Sequence, residues 1–86
     1  MAEKKVSVKN QHGLHARPAA MFVQQAASYA FPITIEKAGK SADAKSILGI
    51  MALAVQKGDE VLLKADGDKA QEALDALELI LIDTEA

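Results

Sequence analysis

The spacing of apolar residues changes repeatedly along this 86-residue chain, and this succession constrains the fold more than any other feature. Residues 4–9 alternate apolar and polar side chains, as a half-buried strand does. From Ala16 the apolar residues follow a helical period, which Phe31 and Pro32 should end. The predicted buried face of this helix consists of Ala19, Phe22, Val23, Ala26 and Ala30, opposite Gln24, Gln25 and Ser28.

The middle of the chain continues the succession with two strands and a short helix. Residues 33–35 alternate as a second strand, and a turn at 37–40 leads into a third strand near 40–43. Residues 47–54 then form a short helix that is apolar nearly all round. Such a helix cannot bury every face in so small a domain, so part of it should remain exposed.

The last third of the chain holds one more strand and one more helix. A turn at 57–59 precedes a strand at 61–65, and Asp68 with Gln71 resembles a capping box at the start of the final helix. The element order is βαββαβα, which favours two layers with the helices on one face of a sheet. The predicted buried stripe of the final helix is Ala70, Ala73, Leu74, Leu77 and Leu81.

Composition restricts the classes of function. We expect one domain over residues 1–86, without disulfides or a thiolate metal site because there is no cysteine. Ten basic and twelve acidic residues give a net charge of -2, and the aromatic residues are few, which argues against nucleic-acid binding. No stretch resembles a signal sequence or a transmembrane segment, so we expect a cytoplasmic protein without membrane insertion.

The segment before the first helix combines residue types that suit a phosphate. A helix N-terminus leaves its first N–H groups without intrahelical partners and carries about half a positive charge. Pro18 belongs at position N1 or N2, which places His15 at or next to the N-cap. Gly13 lets the backbone bend into the helix, and Arg17 supplies a fork of donors for phosphoryl oxygens.

His15 is therefore the candidate nucleophile. A positive helix end disfavours imidazolium and favours a phosphoryl dianion, so one feature both frees the nucleophile and stabilises the product. The alternative is that His15 is an ordinary cap residue and Arg17 a solvated charge. His12 could pair with His15 on a metal, but no third ligand is close in sequence, so we expect no metal site.

Residues 13–19, Gly-Leu-His-Ala-Arg-Pro-Ala, resemble the active-site signature of HPr, the histidine-containing phosphocarrier family of the bacterial phosphoenolpyruvate-dependent sugar phosphotransferase system. Residues 44–51, Ala-Lys-Ser-Ile-Leu-Gly-Ile-Met, resemble the serine region and short second helix of that family. Chain length and element order agree with the family as well. The resemblance implies an α+β open-faced β-sandwich with a four-stranded antiparallel sheet and three helices on one face.

The resemblance also implies a function and its residues. Enzyme I would phosphorylate the Nδ1 nitrogen of His15, and the group would then pass to the A component of sugar-specific enzymes II. Arg17 would assist transfer, and the backbone amides of Ala16 and Arg17 would hold the phosphoryl oxygens. The protein would be a carrier without a cofactor rather than a stand-alone enzyme, and we expect a monomer.

The second helix carries the remaining assignments. By the resemblance, Ile47, Leu48 and Met51 form the docking patch for the partners, whereas Ile50 and Leu53 should pack on the sheet. Ser46 suits the N-cap of this helix. In many Gram-positive relatives the corresponding serine is phosphorylated by an ATP-dependent kinase, which makes that kinase a candidate partner.

Two residues depart from the family pattern. Asp43 stands where a small polar residue is usual and adds negative charge near Ser46. Ala54 stands where glycine is frequent, which should alter the end of the second helix.

Three other functions remain open. The chain could belong to the nitrogen-related branch of the same system or be a regulatory paralogue, although the intact His15 argues against regulatory relatives that lack it. It could also be an interaction module with an incidental histidine. A stand-alone enzyme is disfavoured because no second general acid or base is visible.

The apolar Leu79 and Ile82 lie partly off the buried stripe of the last helix. Either deeper packing or weak self-association could account for them.

Overall fold

The computed structural model describes residues 1–10 and 16–83. Within them the expected order βαββαβα is confirmed. The elements are β1 (Ala2–Ser7), α1 (Ala16–Ala27), β2 (Ile33–Lys37), β3 (Lys40–Asp43), α2 (Ile47–Leu53), β4 (Glu60–Ala65) and α3 (Ala70–Ile82).

The four strands form one antiparallel sheet in the order β1-β4-β2-β3. Because side chains alternate along a strand, residues opposite one another share a face. Leu63 of β4 lies opposite Ile35 of β2, and Val61 lies opposite Val6 of β1, so these four form one buried apolar face. The helices pack on this face, and the other face is open, which confirms the open-faced sandwich.

The helical stripes supply the other half of the core. The expected buried stripe of α3 is confirmed in full. In α1, Ala19, Phe22 and Ala26 are buried and Val23 is half-buried, as expected. Ala30 was wrongly assigned to this face, because it is exposed and lies beyond the end of the helix.

α1 is shorter than its sequence pattern predicts. The helix ends at Ala27, four residues before Phe31. The Ser28 hydroxyl donates to the carbonyl of Gln25 at 2.7 Å, and the Ser28 amide donates to the same oxygen at 3.2 Å. These i to i−3 bonds satisfy a terminal carbonyl and tighten the last turn, so the helix stops before the proline.

Two predicted positions at the starts of helices are wrong. Pro18 is the third residue of the described helix rather than the first or second, although it remains in the first turn. The final helix has Lys69 at its N-cap, without a side-chain cap bond, so Asp68 and Gln71 form no capping box there. Instead, the Gly67 carbonyl accepts from the Ala70 amide at 3.2 Å, and this turn starts the helix.

β1 begins and ends two residues earlier than predicted. Its register with β4 runs from Ala2 opposite Ala65 to Ser7 opposite Glu60, so the pairing ends where β4 begins. Val8 is nevertheless buried, and its amide donates to the Asp59 carbonyl at 2.8 Å. β1 is therefore continued by contacts with the turn before β4.

The predicted turn between the second and third strands is confirmed as a two-residue hairpin. Ala38 and Gly39 connect β2 and β3 with φ values of +52° and +82°. Positive φ at both central residues matches the right-handed twist of the strands. No helix among the described residues is long and apolar enough to cross a membrane.

Candidate functional site

The N-terminal turn of α1 carries one cation and no acidic residue. Arg17 is the second residue of the helix and is exposed, whereas Pro18 and Ala19 are buried beneath it. The first turn therefore combines a positive helix end and an exposed guanidinium, and it contains no carboxylate. His15 precedes Ala16 in sequence but lies outside the described residues, as do His12 and Gly13.

The chain leading into this site is anchored to α3. The amides of Lys9 and Asn10 both donate to the Leu81 carbonyl, at 2.9 and 3.0 Å, and the Asn10 side-chain amide donates to the Ile80 carbonyl at 3.3 Å. Asn10 is only 1% exposed and is the one buried polar side chain among the described residues. It therefore fixes one end of the segment that contains His15 and satisfies carbonyls at the last turn of α3.

The exposed face of α1 continues away from Arg17. Arg17, Ala20, Met21 and Gln24 are all exposed and follow the helical spacing i, i+3, i+4 and i+7. Met21 is 45% exposed, so an apolar side chain lies one turn from the guanidinium. The sequence analysis did not identify Met21, although its position four residues after Arg17 places it on the same helix face.

α2 exposes an apolar patch, which we call the α2 patch and define as Ile47, Leu48 and Met51. Their exposed fractions are 41%, 80% and 46%, whereas Ile50 and Leu53 are buried. The predicted division of the helix between a core face and an exposed face is confirmed. Because α2 packs against α1, the patch and the exposed stripe of α1 lie on neighbouring helices.

Side chains fix the N-terminal end of α2. Ser46 is the N-cap, as predicted, and its hydroxyl accepts from the Gly49 amide at 3.1 Å. Asp43 accepts from the Lys45 amide at 2.9 Å through its carboxylate and from the Ser46 amide at 3.0 Å through its carbonyl. The Lys45 ammonium reaches the Tyr29 carbonyl at 2.8 Å, which ties this end of α2 to the segment after α1.

A small depression lies beside the first turn of α1. Its volume of about 130 Å³ is below the roughly 300 Å³ at which small-molecule pockets begin. This depression is therefore too small to enclose a drug-sized ligand. The lining residues include Asn10, Pro18, Met21, Leu79, Ile80 and Asp83.

Comparison with known proteins agrees with the fold and gives the family. The family model described as the PTS HPr component phosphorylation site matches residues 2–83. The HPr-like protein Crh of Halalkalibacterium halodurans is 51% identical over 77 residues, which are 90% of this chain and 92% of that protein. The crystal structure of a phosphocarrier protein HPr from Bacillus anthracis has 46% identity and a TM-score of 0.90, covering 93% of this chain and 95% of that one.

Fold and sequence together define a small phosphocarrier with an open-faced sheet and three helices. The chain belongs to the HPr family of the phosphotransferase system. The family resemblance and the fold expected from it are thereby confirmed.

The expectation of a monomer is not supported. An HPr dimer from Thermoanaerobacter tengcongensis is among the similar crystal structures, with 51% identity and a TM-score of 0.71, covering 93% of both chains. Leu79, which sequence analysis left open to deeper packing or self-association, is 64% exposed, and this excludes deeper packing for it in the single chain. Ile82 is half-buried against the core.

Proposed function

We propose that this chain carries phosphoryl groups in the sugar phosphotransferase system. His15 accepts the group from phosphorylated enzyme I and donates it to the A component of sugar-specific enzymes II. The observation that carries the proposal is the first turn of α1 in an HPr-family chain: Arg17 is exposed there, the turn itself contains no acidic residue, and His15 directly precedes the helix in sequence.

The proposed chemistry requires a neutral imidazole. The lone pair of Nδ1 attacks phosphorus, a P–N bond forms, and the bond between phosphorus and the donor breaks, so the PO₃ unit moves without an added cofactor. The helix N-terminus favours neutral imidazole before transfer and the anionic product afterwards, with a contribution of about 0.3–2 kcal/mol. A modest contribution suits a carrier, because the same bond must break in the next transfer.

Arg17 and the first helical amides are the proposed phosphoryl-binding groups. Ala16 and Arg17 are the first two residues of α1, so their N–H groups have no partner one turn earlier within that helix. An exposed guanidinium can contact phosphoryl oxygens and still reach a partner protein. These groups would stabilise the charge on the PO₃ unit without enclosing it.

The α2 patch is the proposed docking surface for enzyme I and the enzyme II components. It is apolar, exposed and on the helix next to α1, and Met51 has the conformational freedom that contact with several partners demands. We place the protein in the cytoplasm as a one-domain carrier over residues 1–86, and we assign no catalytic turnover to the chain alone.

A regulatory role is the second candidate, because the chain is 51% identical to an HPr-like protein Crh. In that role an ATP-dependent kinase would phosphorylate Ser46, and the added charge would lie beside the α2 patch. The two roles are separable, since one depends on His15 and the other on Ser46. A nitrogen-branch carrier is distinguished by its acceptor: we expect transfer to a sugar-specific A component and not to a nitrogen-branch one.

The test is incubation with phosphoenolpyruvate and a matching enzyme I. We expect one phosphoryl group by intact-protein mass spectrometry, labile in acid and stable in alkali, on the wild type and on Ser46→Ala but not on His15→Ala. In a parallel incubation with ATP and the serine kinase, we expect the opposite: His15→Ala should be phosphorylated and Ser46→Ala should not. If the protein is phosphorylated by the kinase but not by enzyme I, the proposed carrier role is wrong and the regulatory role replaces it.

A further inference from the structure

The helix that carries the α2 patch is too short to hold its own position. α2 has seven residues, and an isolated helix of that length is unstable in water. Only Ile50 and Leu53 of this helix are buried in the core. Its orientation therefore depends strongly on what holds its two ends.

The N-terminal end is held locally, by the Ser46 hydroxyl on the Gly49 amide. The C-terminal end is held from a distance, by Lys37 at the end of β2. The Lys37 ammonium donates to the Leu53 carbonyl at 3.2 Å and to the Ala54 carbonyl at 2.8 Å. A cation on terminal helix carbonyls satisfies their acceptors and opposes the negative end of the helix dipole.

Asp59 completes this arrangement. Its Oδ2 lies 2.8 Å from the Lys37 ammonium and also accepts from the Gln56 amide at 2.8 Å. The Lys37 ammonium thus contacts three oxygen atoms, two by hydrogen bonds and one in an ion pair. Asp59 is itself fixed by its backbone, because its carbonyl accepts from the Val8 amide at 2.8 Å. We call Lys37, Asp59 and the two carbonyl groups the α2 tether.

The charge on Asp59 is maintained at neutral pH. The hydrogen bond from Lys37 and the one from the Gln56 amide hold the pKa of this carboxyl below its ordinary value. The Lys37 ammonium therefore contacts two carbonyl oxygens at the end of α2 and a carboxylate whose backbone is bonded to Val8, the residue after β1.

We infer that Lys37 is a positioning residue for docking: the α2 tether sets the orientation in which the α2 patch meets enzyme I. This inference rests on the proposed function. The hydrogen bonds of Lys37 reach the Leu53 and Ala54 carbonyls, so it acts through the C-terminal end of α2. Its loss should weaken recognition of the carrier and leave the transfer step at His15 unchanged.

The matched variants are Lys37→Met, Lys37→Arg and Lys40→Met. Methionine keeps an unbranched apolar side chain and removes the ammonium, whereas arginine retains donors for the carbonyls. Lys40 lies opposite Lys37 in the β2–β3 hairpin and is exposed, so Lys40→Met removes the same charge from the same hairpin. Measurements are made where thermal unfolding shows every variant to be folded.

The kinetic readout is the steady-state phosphorylation of each variant by phosphoenolpyruvate and enzyme I. We expect Lys37→Met to raise the KM for the carrier roughly fivefold at unchanged kcat, with Lys37→Arg close to wild type and Lys40→Met unchanged. A general structural defect would not spare kcat or be rescued by arginine. Equal KM values for Lys37→Met and Lys40→Met would overturn the inference.

A second readout does not need a partner protein. The Ala54 amide donates to the Met51 carbonyl at 3.1 Å, so its hydrogen exchange reports the C-terminal end of α2. We expect exchange about tenfold faster in Lys37→Met than in Lys40→Met. If the wild type accepts no phosphoryl group, the proposed function and the docking role both fail; if it accepts one and the variants do not differ, only the inference fails.

Discussion

Ala54 adopts a left-handed backbone conformation, with φ +52° and ψ +47°, immediately after α2. This conformation brings a β-carbon too close to the backbone in L-residues, which is why glycine is common at the end of a helix. The expectation that Ala54 alters the end of the second helix stays a prediction, because Ala54 adopts the left-handed conformation that glycine usually supplies there. Alanine disfavours the left-handed conformation that Ala54 adopts at the end of this helix. The Lys37 ammonium donates to the carbonyl of Ala54.

Ala54→Gly should therefore stabilise the protein by about 0.5–1 kcal/mol, since relief of the steric cost exceeds the added chain entropy. The free energy of unfolding in urea measures this. The control is Ala52→Gly, which makes the same change at an exposed position inside the helix and should destabilise by about 1 kcal/mol. Destabilisation by both variants would contradict the account of Ala54.

Lys4 is a charged residue on the buried face of an edge strand. It lies opposite Leu63 in the sheet, and its ammonium is 2.9 Å from both Asp75 and Glu78 of α3. Hydrogen bonds to these carboxylates raise the pKa of Lys4, and the one from Lys4 lowers the pKa of Asp75, helped by Gln71. An inward-facing charge also disfavours pairing of the strand edge with other chains.

The pH dependence of stability follows from these directions. The Asp75 contribution is present above its unfolded pKa of 3.8 and is lost as the pH falls through the lower folded value. The Lys4 contribution is present below its unfolded pKa of 10.5 and is lost as the pH rises through the higher folded value. Lys4→Met should therefore be less stable than wild type at neutral pH, with the difference closing at both extremes.

Thermal unfolding across pH measures this difference. Lys5→Met is the control, because Lys5 is exposed on the opposite face of the same strand. A Lys4→Met deficit that stayed constant from acid to alkaline pH would assign the effect to packing rather than to the ion pairs.

The helices show which features of an element can be predicted from sequence. The spacing of apolar residues predicts the buried stripe of α3 and the buried and exposed faces of α2, because burial repeats with the helical period. The ends of α1 and α3 do not follow from it. Ser28 closes α1 through its own hydroxyl, and the Gly67 carbonyl starts α3, so the ends depend on local hydrogen bonds that override the pattern.

Ser46→Asp tests the end of α2 and the patch together. Aspartate caps a helix as well as serine does, so the free energy of unfolding should stay within about 0.5 kcal/mol of wild type. The added charge beside the α2 patch should slow phosphorylation at limiting enzyme I by roughly three- to tenfold.

Ser46→Ala separates the two effects of Ser46→Asp. It removes the cap bond to the Gly49 amide and adds no charge, so it should cost about 1 kcal/mol of stability and slow transfer at limiting enzyme I less than Ser46→Asp does. Transfer at the wild-type rate by Ser46→Asp would remove the α2 patch from the docking surface.

At the scale of the molecule, sequence patterns predicted two layers, and the family resemblance supplied the antiparallel sheet. The strand order β1-β4-β2-β3 joins residues distant in sequence, and local spacing carries no information about such pairing. The same limit applies to the site. Arg17 and Ser46 were predicted from local motifs and the α2 patch from the family resemblance. Asn10 and Lys37 act through contacts with α3 and α2 that only the folded chain reveals.

In the proposed function, the Nδ1 nitrogen of His15 carries the phosphoryl group. The decisive experiment is long-range ¹H–¹⁵N NMR of the imidazole rings, recorded before and after addition of phosphoenolpyruvate and enzyme I. We expect a neutral His15 ring at neutral pH, followed by phosphorylation at Nδ1 that disappears when a sugar-specific A component is added. A His15 ring that stays unchanged while enzyme I is phosphorylated would rule out the proposed carrier role.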